Sequence, residues 1–110
     1  MARDDFFVIA YRILAYLYAC MKAGEDPDMA LVSSDKLEIS RRYWNSVMGS
    51  LVDKGYVRGV KGYKIPDGHV IYEPENPEIT MDGIEFLQSN TTLAKAKAFL
   101  KELKEIVPGL

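Results

Sequence analysis

Two adjacent arginines, Arg41 and Arg42, are the residues of this sequence best suited to bind an anion. They fall in the first turn of a predicted helix that begins at Ser40, where unpaired backbone N–H groups already make the helix end positive. A cation is disfavoured there by roughly 0.3–1 kcal/mol. A bound DNA phosphate would remove this penalty, so the pair indicates a phosphate-binding site.

The same helix carries further polar residues beside the arginines. We expect Asn45, Ser46 and Ser50 to face base edges in the DNA major groove, where asparagine can pair bidentately with adenine. Gly49 is on the same polar face, and we expect it to be exposed and to let another molecule's backbone approach closely. The opposite face is apolar and predicts a core contact through Tyr43, Trp44, Val47, Met48 and Leu51.

An ordinary structural role for the arginines stays open. Arg41 and Arg42 could form surface ion pairs with Asp35 or Glu38 of the preceding helix, each worth about 0–1 kcal/mol. Asp53 also lies on the polar face of the arginine helix, where it would repel DNA. The sequence does not decide between the two interpretations.

Two lysines in the next segment could extend such a site. Lys61 and Lys64 lie in a predicted β-hairpin and could touch phosphate, or they could protect an exposed strand edge. Their separation is an odd number of residues, so in a regular strand they point to opposite faces. Only one would then meet the DNA, unless the strand bulges at Gly59 or Gly62.

The distribution of charge matters more than its total. A net charge of −2 and a pI near 5.4 argue against general affinity for nucleic acid. Residues 33–64 nevertheless hold seven basic and three acidic residues, a balance of +4 that leaves −6 for the rest of the chain. Such an asymmetry can orient a molecule toward phosphate.

Catalytic and metal sites are not indicated. His69 is the only histidine, adjoins a predicted turn and has no partner at metal-ligand spacing. No nucleophile elbow, phosphate loop, zinc motif or histidine-based triad is present. We therefore predict that the protein is not an enzyme and needs no metal or cofactor. Cys20 is the single cysteine, so we expect a core residue in a protein of a reducing compartment.

Hydrophobic periodicity and cap residues predict one α+β domain over residues 1–110. Helices are predicted at 4–22, 34–38 and 40–54, followed by a β-hairpin at 56–73 with its turn at Pro66, Asp67 and Gly68. Residues 74–77 contain two prolines and are predicted to form a loop, before helices at 81–89 and 92–107. This is a winged helix-turn-helix, three helices and a hairpin wing, with two C-terminal helices added.

The first helix is apolar over more of its surface than one stripe requires. It could be wrapped by several elements, or it could join the last helix in a homodimer interface, whose candidate residues are Phe6, Phe7, Tyr11, Leu93, Leu100 and Leu103. Packing within the domain is the simpler interpretation. The apolar run from Phe6 to Met21 is interrupted by Arg12 and is shorter than the roughly 20 residues of a membrane span. We expect a soluble, cytoplasmic protein.

Four segments, "ISRRYW", "LVDKGYVRGV", "EITMDGIEFLQSN" and "KAFLKELKEIVPGL", resemble the phage-related YjcQ family of small bacterial winged-helix-like proteins. The resemblance implies a winged-helix-like fold in a prophage or bacterial cytoplasmic setting, and it brings no established activity. Two functions remain open. The first is a phage-type transcription regulator that binds double-stranded DNA with the third helix and the wing and for which we expect a homodimer, and the second is a non-enzymatic protein-interaction module.

Overall fold

A computed structural model describes residues 4–89 of the chain. Its first helix, α1 (Phe6–Ala23), is close to the predicted range 4–22. Asp5 caps it by accepting a hydrogen bond from Phe7 N at 3.0 Å, and Gly24 ends it with a left-handed backbone (φ 69°). The acidic start and the glycine stop are therefore the local signals that set the length of α1.

Helix α1 lies at the centre of the core. Twelve of its 18 residues are buried, and the largest fully buried ones are Ile9, Ile13, Leu14 and Leu17. By length and composition α1 could cross a membrane, yet 67% of it is buried within the chain. Such burial is that of a core helix, and it indicates a soluble globular protein.

Two short elements follow α1. A 3₁₀ turn covers Met29–Val32, which the sequence did not predict, and α2 is a single helical turn, Ser34–Leu37. Ser33 caps α2 through its hydroxyl, which accepts from Lys36 N at 3.3 Å. The chain then reverses at Glu38, whose backbone is left-handed (φ 59°).

Helix α3 (Arg41–Asp53) begins after Ser40, whose hydroxyl accepts from Tyr43 N at 3.1 Å. Its apolar face packs on the core, as predicted, with Trp44, Val47, Met48 and Leu51 buried. The indole Nε1 of Trp44 donates to Val32 O at 2.8 Å, so the buried ring ties α3 to the 3₁₀ turn. This contact fixes which face of α3 is left for the surface.

Strands β1 (Val57–Lys64) and β2 (Val70–Ile79) form an antiparallel hairpin. The predicted turn residues are correct: Gly68 N donates to Ile65 O at 2.9 Å, and Gly68 has φ 93°. The loop predicted at residues 74–77 is wrong, because β2 continues through both prolines to Ile79. Within residues 4–89 the sheet has two strands, and proline is tolerated in strands that have one neighbour.

A bulge at Gly59 accounts for the extra length of β2. Arg58 pairs with Glu78 and Val60 with Pro74, so Gly59 faces three residues of β2. Gly59 has φ 77°, and a Cβ atom there would lie 1.8 Å from Asn76 O. Only glycine fits this conformation and this approach.

Helix α4 (Met81–Ser89) matches the predicted range 81–89, and Thr80 caps it by accepting from Gly83 N at 3.1 Å. The helix predicted at 92–107 lies outside the described residues. The described part is thus α+β, with a two-stranded antiparallel hairpin after α3, and it is compatible with a winged-helix-like fold. The element before α3 is a single turn, so the prediction of three helices before the hairpin is not confirmed.

Candidate functional site

An open groove of about 650 Å³ lies between α3 and the hairpin, and we call it the α3–hairpin groove. Its α3 wall is polar, and the opposite wall is more apolar. The α3 wall consists of Arg41, Arg42, Asn45, Ser46, Gly49, Ser50 and Asp53. The hairpin wall consists of Ile65, Asp67, His69, Val70, Ile71 and Tyr72. The groove brings together five of the seven residues predicted to contact DNA.

Gly49 is not the exposed glycine that the sequence predicted. It is buried, and a Cβ atom there would lie 2.7 Å from Cε2 of Tyr72. The close approach that glycine permits is therefore made by the hairpin of the same chain. Tyr72 covers the middle of the polar face of α3, and the surface that another molecule can reach lies on either side of it.

Asn45 is also engaged by the hairpin. Its Oδ1 accepts a hydrogen bond from Tyr72 N at 3.2 Å, and the residue is half-buried. A bidentate pair with adenine needs Oδ1 to accept from the adenine amino group. Base reading by Asn45 therefore competes with the bond that holds the hairpin.

Ser46 and Ser50 are exposed along the same face. Their hydroxyls donate to the carbonyls one turn earlier, Ser46 to Arg42 O at 3.2 Å and Ser50 to Ser46 O at 3.0 Å. The oxygen lone pairs remain directed outward. In this rotamer the two serines offer acceptors, not donors, to a molecule in the groove.

Arg42 meets a partner that the sequence analysis missed. Its guanidinium contacts Nε2 of His69 across the groove, and Nδ1 of His69 lies 2.9 Å from Oδ1 of Asp67. The backbone N–H of His69 donates to the same Asp67 oxygen at 2.9 Å. The pKa of the Asp67 carboxyl is lowered, mainly by this backbone hydrogen bond and to a smaller extent by the bond from the ring.

Arg41 stands at the rim of the groove and is exposed. It also borders a smaller pocket of about 210 Å³, which lies between the 3₁₀ turn, α2, α3 and β2. The sequence left open ion pairs between the arginines and Asp35 or Glu38. The structure adds a further arrangement, in which Arg42 contacts His69. No sequence spacing signals that contact, because the two residues are 27 positions apart.

The hairpin places its two lysines on opposite faces, as their odd spacing predicted. Lys64 pairs with Val70 and shares a face with the Gly62–Tyr72 pair, which is turned toward α3. Lys61 pairs with Glu73 on the other face, where its Nζ lies 5.6 Å from the ring centroid of Tyr63. The bulge at Gly59 precedes both lysines and does not change their relation.

The residues predicted for a dimer interface differ in exposure. Phe7 is 51% exposed, and Phe6 is half-buried against it with ring centroids 5.5 Å apart. Tyr11 is 2% exposed and packs within the chain. The other three, Leu93, Leu100 and Leu103, lie outside the described residues. Homodimerisation stays a prediction.

Metal ligands do not cluster in this part of the chain: among residues 4–89, no three His, Cys, Asp or Glu side chains could hold a metal ion. Cys20 is buried in α1, where burial raises the pKa of its thiol. Charged groups do meet in the α3–hairpin groove, where Arg42 contacts His69 and His69 contacts Asp67. The exposed side chains of Arg41 and Arg42 are the groups there that could bind an anion.

The sequence matches a protein-family model over residues 11–106, and the description of that family is "YjcQ protein". No curated protein and no solved structure matches the chain. The match covers most of the 110 residues and includes the arginine pair, the hairpin and α4. It agrees with the resemblance seen in the four sequence segments. The chain belongs to the YjcQ family.

Proposed function

We propose that this protein binds double-stranded DNA through the α3–hairpin groove and serves as a small regulator of phage or prophage type. The observation that carries the proposal is the position of Arg41 and Arg42, exposed at the start of α3 and on the wall of an open groove. In winged-helix proteins the corresponding helix enters the major groove while the hairpin approaches the flanking backbone.

Phosphate contacts supply most of the affinity in this proposal. Arg41 and Arg42 lie where the first N–H groups of α3 also favour an anion. Lys64, on the hairpin face turned toward α3, is the third basic contact, and Lys61 on the opposite face is not part of the surface. Arg58 is held elsewhere, since its Nε donates to Glu78 Oε1 at 2.7 Å.

Base reading is weaker than the sequence suggested. Asn45 is tied to Tyr72 N, and Ser46 and Ser50 present acceptor oxygens only. Hydroxyl oxygens can accept from cytosine or adenine amino groups, but they do not form the bidentate pairs that discriminate best. We expect strong dependence on salt and modest discrimination between sequences by a single chain.

A regulator of this type gains specificity by pairing two modules on adjacent half-sites. Phe7, half exposed next to Phe6, is the described residue best placed for such a contact. The lone cysteine suits a reducing cytoplasm, where we place the protein. Dimerisation and the cytoplasmic location belong to the proposal. Size-exclusion chromatography of the natural protein and a Phe7→Ser variant tests dimerisation.

DNA binding is tested by titrating labelled genomic and random duplexes at pH 6.0 and several salt concentrations. The test variant is Arg41→Glu/Arg42→Glu, and the control is Lys22→Glu/Lys61→Glu, which changes the net charge equally but lies outside the groove. We expect the test variant to lose at least about tenfold in affinity and about two units of salt slope, roughly 0.9 per lost phosphate contact. No binding at low salt, or equal losses in both variants, would overturn the proposal.

A protein-interaction role is the second candidate, and a different observation favours it. Met81 is 84% exposed and Phe7 51%, both large apolar side chains that cost free energy in water. Scattered apolar residues are common on monomers, so this surface argues less strongly than the arginine groove. Absence of DNA binding, together with a complex that a Met81→Ser variant no longer forms, would favour this function.

A further inference from the structure

The contacts of His69 fit a neutral ring that carries its proton on Nδ1. A guanidinium has only donors, so Nε2 of His69 must accept from Arg42. The proton of the neutral ring therefore sits on Nδ1, where it is donated to Asp67 at 2.9 Å. Neutral His69 thus holds one nitrogen of the Arg42 guanidinium and orients the side chain that the proposed function assigns to a phosphate.

Protonation of the ring reverses this arrangement. A proton on Nε2 points a donor at the donors of Arg42 and places two positive charges side by side, so the contact is lost. The bond to Asp67 survives and becomes an ion pair. Arg42 is released into the groove, and His69 contributes a second cation near it.

The net charge of the groove rises at the same time. Its charged residues are Arg41, Arg42 and Asp53 on α3 and Asp67 in the hairpin turn, which together sum to zero while His69 is neutral. Protonation makes the sum +1. Lys64 pairs with Val70, the residue that follows His69. Its charge therefore adds to the positive potential on that side of the groove.

We infer that His69 is part of the phosphate-binding surface and controls it: neutral His69 holds Arg42 away from DNA, and protonated His69 frees Arg42 and binds phosphate beside it. The inference rests on the proposed function and adds to it a pH dependence in the physiological range. Histidine is the side chain whose charge ordinarily changes between pH 5 and 8. The chain contains one histidine, so a pH response that disappears when this residue is replaced has His69 as its source.

The test compares DNA affinity at pH 6.0 and pH 8.0 at one ionic strength, using a labelled duplex of about 20 base pairs. For the natural sequence we expect binding about three- to tenfold tighter at pH 6.0, because a charge-assisted contact is gained. His69→Gln keeps a neutral acceptor for Arg42 and should bind equally at both pH values. His69→Lys carries a permanent charge and should bind at pH 8.0 as tightly as the natural protein does at pH 6.0.

The outcomes separate the inference from the function beneath it. Binding that is independent of pH, or that responds to pH equally in His69→Gln, overturns the inference and leaves DNA binding intact. Absence of binding at both pH values and low salt overturns both.

A measurement without DNA tests the contact itself. The ¹⁵N chemical shifts of the His69 ring are recorded by NMR at pH 8.0 in the natural protein and in Arg42→Met. The shift of an acceptor nitrogen depends on the hydrogen bond it accepts, so we expect the Nε2 resonance to move in the variant while Nδ1, which contacts Asp67, moves less. An unchanged Nε2 resonance in Arg42→Met would overturn the inference even if DNA binds.

Discussion

The two long helices of this protein distribute their side chains in different ways. Helix α1 buries twelve of its 18 residues, whereas α3 buries five of its 13. The buried residues of α1 surround the helix, whereas four of the five in α3 form one face opposite the α3–hairpin groove, and the fifth, Gly49, is covered by Tyr72 within the groove. Helix α1 is therefore the scaffold, whereas α3 supports the fold with one face and lines the α3–hairpin groove with the other.

This difference separates stability from binding. Substitutions at the buried positions of α1 should change the free energy of unfolding, because the side chains there are closely packed. Substitutions on the outer face of α3 should change binding and leave the fold in place, since surface changes are usually within about 0.5 kcal/mol. The four predictions below probe where this division holds and where it fails.

Ile13→Ala should have the largest effect. Ile13 is fully buried in α1, and removal of its side chain leaves a cavity that typically costs about 2–5 kcal/mol. Urea unfolding followed by Trp44 fluorescence measures the change. Ser46→Ala on the outer face of α3 is the control, with a change of no more than about 0.5 kcal/mol. Equal changes in the two variants would contradict the division between the helices.

Alkaline pH should weaken the fold through Tyr16 of α1. Burial raises the pKa of Tyr16 to about 12, although its hydroxyl oxygen accepts a bond from Asp28 N at 2.7 Å. The unfolded chain loses this proton near pH 10, so the contribution is present below pH 10 and is lost as pH rises through about 12. Two units of pKa correspond to about 2–3 kcal/mol.

The measurement is the unfolding free energy at pH 9, 10 and 11 in the natural protein and in Tyr16→Phe. The variant removes the titrating group and keeps the ring, so its stability should fall less over this range. A parallel decline in both proteins would show that Tyr16 is not the cause.

Asn45→Ala tests the exception on the outer face of α3. Asn45 accepts from Tyr72 N, and loss of that acceptor should cost about 0.5–1.5 kcal/mol, more than Ser46→Ala. Amide hydrogen exchange at Tyr72 measures the same bond locally and should accelerate. Unchanged exchange would mean that Asn45 does not hold the hairpin.

Gly49→Ala should have the smallest effect on stability and a clear effect on geometry. Alanine gains about 1 kcal/mol of helix propensity over glycine, and displacement of the Tyr72 ring offsets part of that gain. We expect a net change within about 1 kcal/mol and a loss of the nuclear Overhauser contacts between Tyr72 and α3. Retention of those contacts would show that the hairpin adapts without moving.

Local signals in the sequence were sufficient for most of the fold. Helix α1 begins after Asp5 and ends at Gly24, and α3 and α4 are capped by Ser40 and Thr80. Each cap acts through atoms within a few residues. The hairpin turn at residues 66–68 follows from its own proline and glycine. Such features were predictable because their energy comes from neighbours along the chain.

The features that sequence reasoning missed depend on contacts between distant segments. Gly49 was predicted to be exposed because helix periodicity does not show that Tyr72 packs on it. His69 was read as a turn residue because its partner Arg42 is 27 positions away. The sequence analysis predicted both the polar face of α3 and the hairpin, but it did not predict that the hairpin packs across that face.

The two prolines of β2 bear on how the protein behaves at high concentration. A foreign strand adds to a sheet by pairing with a continuous row of free N–H and C=O groups, and this is how exposed edges begin to aggregate. Pro74 and Pro77 lack an N–H group, and the bulge opposite them at Gly59 interrupts the regular register. The long second strand is therefore a poor template for another chain, and the hairpin can stand out toward a partner while remaining soluble.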